Sequence, residues 1–207
     1  MKGASIPTFL AAILATACAS AGPTGIEAGP GVLVGGCGPM PGLTARYVLP
    51  FTAGETYSLT QGNCGRESHD GRFRYAFDFR MPAGTPVVAA RSGTVVLVRD
   101  DRPDGTGRIG DENLVIIEHA DGPRSRYVHL RQHGARIVPG DSVAPGDTIA
   151  LSGNSGRSAF PHLHVDVADR CDRDGCRTVP VAFLNAEPSV PIDRGPVTAL
   201  PGGTGAP

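Results

Sequence analysis

The feature that most constrains the fold of this chain is a succession of short segments with strand character, separated by turn residues. The segments cover residues 75–80, 86–90, 93–99, 113–118, 124–130, 148–152 and 163–167. Gly, Pro and Asp fill the turns between them, including two Pro-Gly-Asp turns at 139–141 and 145–147. No stretch keeps a convincing helical period. Closely spaced short strands of this kind predict an all-β domain built from antiparallel sheets.

Composition separates a compact middle from two turn-rich margins. The 207 residues include 29 Gly and 19 Pro with no collagen-like period, and these residues concentrate toward both ends. We predict a signal peptide at 1–17, a Gly/Pro-rich tether at 18–44, one folded domain at 45–186 and a flexible tail at 187–207. A net charge of −1 excludes a bulk electrostatic attraction to nucleic acid, and we expect a monomer.

The N-terminus has the pattern of an export signal. Lys2 precedes an apolar run at 6–17 that is too short to cross a membrane. Small residues at 15–17 then precede Cys18, which resembles the cleavage site of a bacterial lipoprotein whose first residue carries the lipid. Ordinary cleavage near the same place, with an exported product that has no lipid, is the alternative. Both predict the extracytoplasmic cell envelope (periplasm or cell surface), and the first also predicts a membrane anchor on Cys18.

The four cysteines after Cys18 form an even set, which suits disulfide bonding in an oxidising compartment. Cys171 and Cys176 bracket a turn-rich tetrapeptide, so we predict a local disulfide between them and a second one between Cys37 and Cys64. Free thiols and a tetrathiolate zinc site are the alternatives. The long gap between Cys37 and Cys64 is unsuited to a zinc ribbon.

Two histidines on a predicted strand, His162 and His164, are candidate metal ligands. Residues i and i+2 of a strand point to the same face, so their imidazoles project together. Asp78 lies on another predicted strand, on the face opposite to two phenylalanines. Imidazole is the commonest metal ligand in proteins, and a carboxylate completes many hydrolase sites. Polar residues on edge strands are the alternative for both features.

Several motifs follow one another in a specific order between about residues 55 and 170: Ser68-His69-Asp70-Gly71, Tyr75-Ala76-Phe77-Asp78-Phe79, Pro82-Ala83-Gly84-Thr85-Pro86-Val87, Arg126-Tyr127-Val128-His129-Leu130, Gly153-Asn154-Ser155-Gly156 and Pro161-His162-Leu163-His164. In these motifs the sequence resembles the lysostaphin-type, or LytM-like, zinc metallopeptidases, which are peptidoglycan endopeptidases. The resemblance implies that residues 45–186 form a LytM-like peptidase domain.

The resemblance also implies a Zn²⁺ ion held by His69, Asp78 and His164, with His129 and His162 as unliganded catalytic histidines. Three protein ligands leave one position open for water, whose pKa zinc can lower from ~15.7 to about 7. The imidazoles of His129 and His162 titrate near neutral pH, so either can bond the nucleophilic water or the developing oxyanion. Which of the two is the base stays open.

His69 departs from the shortest form of the family motif. In that form the ligand histidine precedes the aspartate by four residues. Arg74 occupies this position here, and its guanidinium group stays protonated and cannot bind zinc. His69 lies nine residues ahead of Asp78, which resembles a longer-spaced variant of the motif. The longer gap requires a loop or bulge, for which Asp70-Gly71 is suited.

The resemblance therefore predicts a zinc-dependent endopeptidase that hydrolyses peptide bonds in peptidoglycan stem peptides or cross-bridges. A non-catalytic LytM-like scaffold that regulates other cell-wall hydrolases is the alternative. Such relatives lose metal ligands, whereas this chain keeps a full candidate set. A generic carbohydrate- or carrier-type β domain would leave the five candidate site residues unexplained.

Three further features are a charged loop, an asparagine in a turn and a histidine at the end of a strand. The first two have both a functional and a structural interpretation. The charged loop at 100–112 either walls a binding groove or is a disordered hairpin tip. Asn154 either orients the substrate backbone or forms a turn. We interpret His119, at the end of a predicted strand, as a structural residue.

Overall fold

The computed structural model describes residue 37 and residues 46–172, 175–187 and 194–202. The predicted signal peptide, Cys18 and most of the predicted tether lie outside these residues. Within them strands predominate and no α-helix occurs, which confirms the all-β, antiparallel fold class. The described part of the chain also has no helix with the length and apolar character needed to cross a membrane.

The described strands, in chain order, are β1 (Thr56–Gln61), β2 (Phe77–Arg80), β3 (Pro86–Val88), β4 (Gly93–Arg99), β5 (Leu114–Glu118), β6 (Arg124–Val128), β7 (Ser142–Val143), β8 (Thr148–Leu151), β9 (His162–Asp172), β10 (Gly175–Thr178), β11 (Ala186–Glu187) and β12 (Gly195–Ala199). A short 3-10 turn at Gly71–Phe73 lies between β1 and β2. Each of the predicted strands overlaps an observed one, and β4 has the predicted bounds. β1, β7, β10, β11 and β12 were not predicted.

One large antiparallel sheet contains most of the strands. Its order is β11-β12-β1-β2-β9-β6-β5-β4-β7, and β10 pairs with β9 beside this path. β3 and β8 form a separate two-stranded sheet. In the large sheet β2 and β9 are neighbours, with β1 and β6 on their outer sides. Their register places Asp78 opposite His164 and Arg80 opposite His162.

Alternation along β2 separates the core from the candidate site. Phe77 and Phe79 are fully buried, and the Phe183 ring packs edge-on against Phe77 at 5.1 Å between ring centroids. Burying side chains of this size stabilises the fold by roughly 1.5–3 kcal/mol each. Because side chains alternate along a strand, these rings hold β2 with Asp78 projecting from its other face.

Part of the segment predicted to be a flexible tail is folded. Gly195–Ala199 form β12, which pairs with β1 along Thr56–Leu59. Val197 and Ala199 are fully buried in the core. The domain therefore continues beyond residue 186, because β1 needs a partner on its outer edge and the C-terminal segment supplies it.

The disulfide between Cys37 and Cys64 is present, as predicted. It joins the one described residue of the N-terminal margin to the loop that follows β1. Cys176 is also disulfide-bonded, and it lies opposite Cys171 in the register of β9 and β10.

Candidate metal centre

The three predicted metal ligands come together where β2 meets β9. His69, Asp78 and His164 each offer a ligand atom, and these atoms all lie within 4.8 Å of one another. His164 Nδ1 is 2.9 Å from Asp78 Oδ1, and His69 Nε2 is 3.2 Å from Asp78 Oδ2. The two strands supply Asp78 and His164 through their register, whereas His69 comes from the loop after β1.

The long spacing between His69 and Asp78 is taken up by a folded loop. Gly71 has a positive φ of 48° and begins the 3-10 turn that returns the chain to β2. His69 is 1 % exposed, and its Nδ1 lies 2.8 Å from the Gly62 carbonyl oxygen. That contact assigns the ring proton to Nδ1. Nε2 is then left buried without a hydrogen-bond partner in the described structure.

The carboxylate of Asp78 is kept ionised by its neighbours. Burial alone would raise its pKa, but its contacts with the His164 and His69 rings, first of all the hydrogen bond with His164, hold the pKa well below the usual range. Gln61 also donates from Nε2 to Asp78 Oδ2 at 3.1 Å. An anionic oxygen donor is therefore available beside the two imidazoles.

Asp166 supports His164 from the side away from Asp78. His164 Nε2 is 3.0 Å from Asp166 Oδ2, and Arg126 forms two hydrogen bonds of 2.7 and 2.8 Å with the Asp166 carboxylate. Burial would lower the pKa of His164, but its hydrogen bonds with Asp166 and Asp78 raise it to about 9. In the metal-free protein His164 thus holds a proton between two carboxylates, a position in which a cation is stabilised.

His129 and His162 lie beside this cluster. Their ring centroids are 4.6 Å apart, and His162 Nε2 is 3.8 Å from Asp78 Oδ1. His129 Nδ1 lies 2.8 Å from the Ser155 carbonyl oxygen, and His162 Nδ1 lies 2.9 Å from that of Phe160. Both carbonyls fix the proton on Nδ1, so each Nε2 keeps its lone pair.

Burial makes both of these rings neutral. It is the main reason that the pKa of His129 falls to about 4, and the neighbouring His162 and His164 lower it further. Burial likewise lowers the pKa of His162. Near neutral pH the two Nε2 atoms are therefore unprotonated and available as hydrogen-bond acceptors, and His129 titrates well below the neutral range expected from the sequence.

Hydrogen bonds under His129 hold its unusual backbone. His129 has a φ of 63°, a conformation that costs energy for a residue with a side chain. Ser155 Oγ and Asn113 Nδ2 both donate to the Leu130 carbonyl, at 2.7 and 3.2 Å, and Ser155 Oγ accepts from the Asn113 backbone N–H at 2.9 Å. Ser155 therefore fixes both the ring and the backbone at this position.

The loop at 100–112 lies against the turn that carries Ser155. Asp104 Oδ1 accepts from the Asn154 backbone N–H at 2.9 Å, and the Gly105 N–H donates to the Asn154 carbonyl at 2.9 Å. The backbone N–H and C=O groups of Asn154 are thus both hydrogen-bonded to the loop at 100–112. Its side-chain Oδ1 is buried without a partner in the described residues. The loop is packed on this side of the candidate site and is not an isolated hairpin tip.

Aromatic rings with stacked guanidinium groups stand on two sides of the histidines. Phe160 packs 5.4 Å from the His162 ring, and the Arg80 guanidinium lies 4.7 Å above Phe160. Phe73 packs edge-on at 6.0 Å from His164, with Arg126 5.5 Å from its ring centre. These contacts restrict the orientation of the His162 and His164 rings.

His119 is a buried structural residue, as the sequence predicted. The ring is 2 % exposed, with Nδ1 2.8 Å from the Ser92 carbonyl and Nε2 2.6 Å from Ser125 Oγ. It packs edge-on against Tyr47, at 5.5 Å between ring centroids. His119 therefore belongs to the core and not to the candidate metal centre.

The donor set fits a divalent transition metal. Two imidazoles and one ionised carboxylate converge, and the buried His69 Nε2 has no other polar partner in the described structure. A buried polar atom without a partner costs free energy unless a ligand satisfies it. Nitrogen and carboxylate ligands of this kind suit zinc, which accepts three protein ligands in hydrolase sites.

Comparisons with known proteins identify the family of the domain. Residues 72–174 match the family model described as Peptidase family M23. The chain carries a peptidase family M23 domain. The match begins after His69, so it includes Asp78, His129, His162 and His164 but not the third candidate ligand.

Among the relatives of this M23 domain is the peptidoglycan DD-endopeptidase ShyA of Vibrio cholerae, 39 % identical over 93 residues that cover 45 % of this chain and 20 % of ShyA. Lysostaphin of Staphylococcus staphylolyticus is 37 % identical over 117 residues, which cover 56 % of this chain and 23 % of lysostaphin. The chain thus spans about a fifth of the length of these relatives. The lysostaphin-type resemblance seen in the motifs is confirmed.

A similar solved structure is the catalytic domain of the prophage-encoded M23 protein EnpA from Enterococcus faecalis. It is 26 % identical in sequence with a TM-score of 0.49, and the match covers 64 % of this chain and 93 % of that domain.

No functional role was predicted for Gln61, Asp166 or Ser155. Asp166 had a readable signal, because it follows His162 and His164 at the two-residue period of one strand face. Ser155 lies in the Gly153–Gly156 motif, but its role depends on a turn that approaches from another part of the chain, and Gln61 had no signal because its contact depends on a register shift.

Proposed function

We propose that this M23 domain is a zinc-dependent endopeptidase that hydrolyses peptide bonds in peptidoglycan stem peptides or cross-bridges. The observation that carries the proposal is the convergence of His69, Asp78 and His164 around a buried, unpartnered imidazole nitrogen, with two neutral histidines beside them. The name of ShyA, a peptidoglycan DD-endopeptidase, together with the resemblance in the motifs, supports peptidoglycan as the substrate.

In this proposal His69, Asp78 and His164 hold the zinc ion. When bound, zinc acidifies water and polarises the carbonyl of the scissile bond. Asp166 accepts a hydrogen bond from His164 Nε2, which leaves Nδ1 on the side of Asp78. The same contact holds the His164 ring in one orientation.

His129 and His162 move the proton that peptide hydrolysis requires. Water adds to the carbonyl carbon, the C–N bond breaks, and one proton passes from the water to the departing amine. An imidazole with a free Nε2 can accept that proton and then release it to the departing amine, while the second ring, whose Nε2 also keeps its lone pair, can accept a hydrogen bond from the attacking water. The two rings have matching backbone anchors, so these roles are not assigned individually.

Location and assembly are part of the proposal. The export pattern at 1–17 supports an extracytoplasmic enzyme, and a lipid on Cys18 would hold it at a membrane with the tether reaching the cell wall. We propose that it acts as a monomer, because the three candidate ligands already converge without a residue from a second copy.

The test is incubation of the purified protein with purified peptidoglycan, with and without a chelator. We expect a release of free amino groups that the chelator abolishes and added zinc restores. Peptidoglycan left intact under all conditions contradicts the endopeptidase function. If no cleavage is seen, the zinc content of the protein distinguishes an enzyme given an unsuitable substrate from a non-catalytic scaffold. About one zinc per chain is expected of the enzyme and none of the scaffold.

Two histidine variants test the separate roles of ligand and proton carrier. His164→Ala should abolish tight zinc binding, because it removes one of the three donors. His129→Ala should keep the zinc and lower turnover about 10²–10⁴-fold, the usual contribution of a general acid or base. Zinc retention by His164→Ala would contradict the ligand assignment, and full activity of His129→Ala would contradict the proton-transfer role.

A further inference from the structure

Gln61 is a buried polar residue next to the candidate ligands. It is the last residue of β1, and its side chain is buried with 4 % of the residue exposed. The register of β1 against β2 shifts at this point, since Leu59 lies opposite Phe79 whereas Gln61 lies opposite Asp78. Bulges of this kind change the direction of a side chain and are common beside active sites. Here the shift brings Gln61 to Asp78.

Both ends of the Gln61 amide are hydrogen-bonded. Nε2 donates to Asp78 Oδ2 at 3.1 Å and to Ser68 Oγ at 2.8 Å. Oε1 accepts from the backbone N–H groups of Glu67 and Ser68, at 2.9 and 3.2 Å. The two N–H donors determine which end of the amide is the oxygen, so the NH₂ group must face the carboxylate.

The loop that carries His69 packs closely on this side chain. A Cβ atom at Gly65 would lie 2.8 Å from Gln61 Cδ, so only glycine allows the loop to approach this far. Gln61 therefore contacts one candidate ligand directly and holds the two backbone N–H groups that immediately precede another, His69.

We propose that Gln61 is a positioning residue that sets the placement of Asp78 relative to His69 and thereby determines how tightly zinc is held. The inference rests on the proposed function, because it concerns the same metal site. An amide donor on Oδ2 limits the rotation of the carboxylate, and the Oε1 contacts limit the movement of the His69 loop. The ligands are then arranged before the metal binds, which lowers the entropy cost of binding.

The test uses Gln61→Met, which keeps the length of the side chain and removes its hydrogen bonds. We expect the zinc dissociation constant, measured by chelator competition on the purified protein, to rise about 10–100-fold, as is typical when a partner of a ligand is lost. The visible absorption of the Co²⁺-loaded protein should also change, because that spectrum reports the arrangement of the ligands. A role in overall stability alone would not alter this spectrum in protein that is still folded.

Asn63 provides a matched control in the same loop. It is fully buried, and its amide nitrogen, in the orientation that satisfies its neighbours, donates to the Tyr75 and Ala76 carbonyls at 3.2 and 3.3 Å without touching Asp78. Asn63→Ala should lower the melting temperature of the metal-free protein, as Gln61→Met does. Its zinc affinity should stay within about threefold of wild type, since no partner of a ligand is removed.

Two results would overturn the proposal. One is a folded Gln61→Met protein with wild-type zinc affinity and an unchanged Co²⁺ spectrum. The other is an equal loss of affinity in Asn63→Ala, which would assign the effect to the loop as a whole. If Gln61→Met does not fold, Gln61→Asn replaces it, because its amide is one methylene too short to reach both Asp78 and the loop.

Direct measurement of zinc keeps this proposal separate from the endopeptidase function. A wild-type protein that binds zinc but does not cleave peptidoglycan would contradict the function and leave the role of Gln61 intact. A Gln61 variant with normal zinc affinity would contradict the role of Gln61 and leave the function intact.

Discussion

Asp166 is the residue whose charge most directly affects His164. Its carboxylate is fully buried, and it is shared between His164 Nε2 and the two N–H groups of Arg126. We expect Asp166→Asn to lower the free energy of unfolding of the metal-free protein by about 3 kcal/mol, because removal of one partner leaves the other charge buried without compensation. Zinc affinity should fall about 10–100-fold as well, since His164 loses its orienting partner.

Glu118 offers the matched control for Asp166. It forms a pair of 2.7 Å with Arg124 on the neighbouring strands β5 and β6, but both side chains are 42 % exposed. Glu118→Gln should therefore change the unfolding free energy by less than about 1 kcal/mol. Urea unfolding and chelator competition measure both effects. Equal losses in the two variants would contradict the view that burial gives Asp166 its importance.

His119 should contribute to the acid sensitivity of the fold. Burial lowers its pKa below 6.5, so the folded protein holds the ring neutral where the unfolded chain already protonates it. The unfolded state then binds more protons, and the stability that His119 contributes above about pH 6.5 is lost as the pH falls toward the folded-state pKa.

The measurement is the unfolding free energy of the metal-free protein at about pH 7 and about pH 5. His119→Gln should be less stable at the higher pH and should lose less stability on acidification than wild type. A wild-type slope in His119→Gln would contradict the prediction.

At the scale of elements, two loops meet beside His129. Gly156 has a φ of 70°, and a Cβ atom there would lie 2.8 Å from Glu112 Cα in the loop at 100–112. Gly110 has a φ of 95° with no atom within 4 Å of such a Cβ. The two glycines share a backbone conformation that disfavours other residues, but only Gly156 is also needed for close packing.

Alanine at each position separates these effects. Gly110→Ala should cost about 1–2 kcal/mol of unfolding free energy, from its backbone conformation alone. Gly156→Ala should cost about 1–3 kcal/mol more, because the loops must move apart. It should also lower turnover with zinc still bound, since Ser155 next to it holds His129. Equal unfolding free energies for the two variants would show that the loops do not depend on this contact.

For the whole molecule, the sequence motifs predicted the five clustered side chains but not the residues that hold them. The motifs name the histidines and Asp78 because metal chemistry restricts their types and spacing. Gln61 and Ser155 act through contacts between distant segments, and polar residues of these types are common in turns and strand ends. Their roles therefore become visible only when the register of β1 and the turn at 153–156 are known.

Some strands were predicted from the sequence and others were not, as β4 and β12 illustrate. β4 has seven residues, four of which carry β-branched side chains, and it was predicted with its observed bounds. β12 begins with Gly195 and Pro196 in a Gly/Pro-rich segment, so its local composition favours a turn. It forms a strand because it can pair with the otherwise unpaired edge of β1. β1 lies far away in the sequence, so this pairing cannot be read from the local composition of β12.

The contribution of β12 to the whole sheet can be measured. Val197 is fully buried on this strand, whereas Thr198 faces out and forms an exposed hydroxyl–hydroxyl hydrogen bond of 2.7 Å with Thr56. Val197→Ala should lower the unfolding free energy by about 2 kcal/mol, and Thr198→Ala by less than about 0.5 kcal/mol. Ending the chain after Glu187 removes β12 and should cost more than either substitution. Because β1 carries Gln61, the truncated protein should also bind zinc more weakly at a temperature where it is folded. Unchanged stability and zinc affinity after truncation would show that β1 does not need this partner.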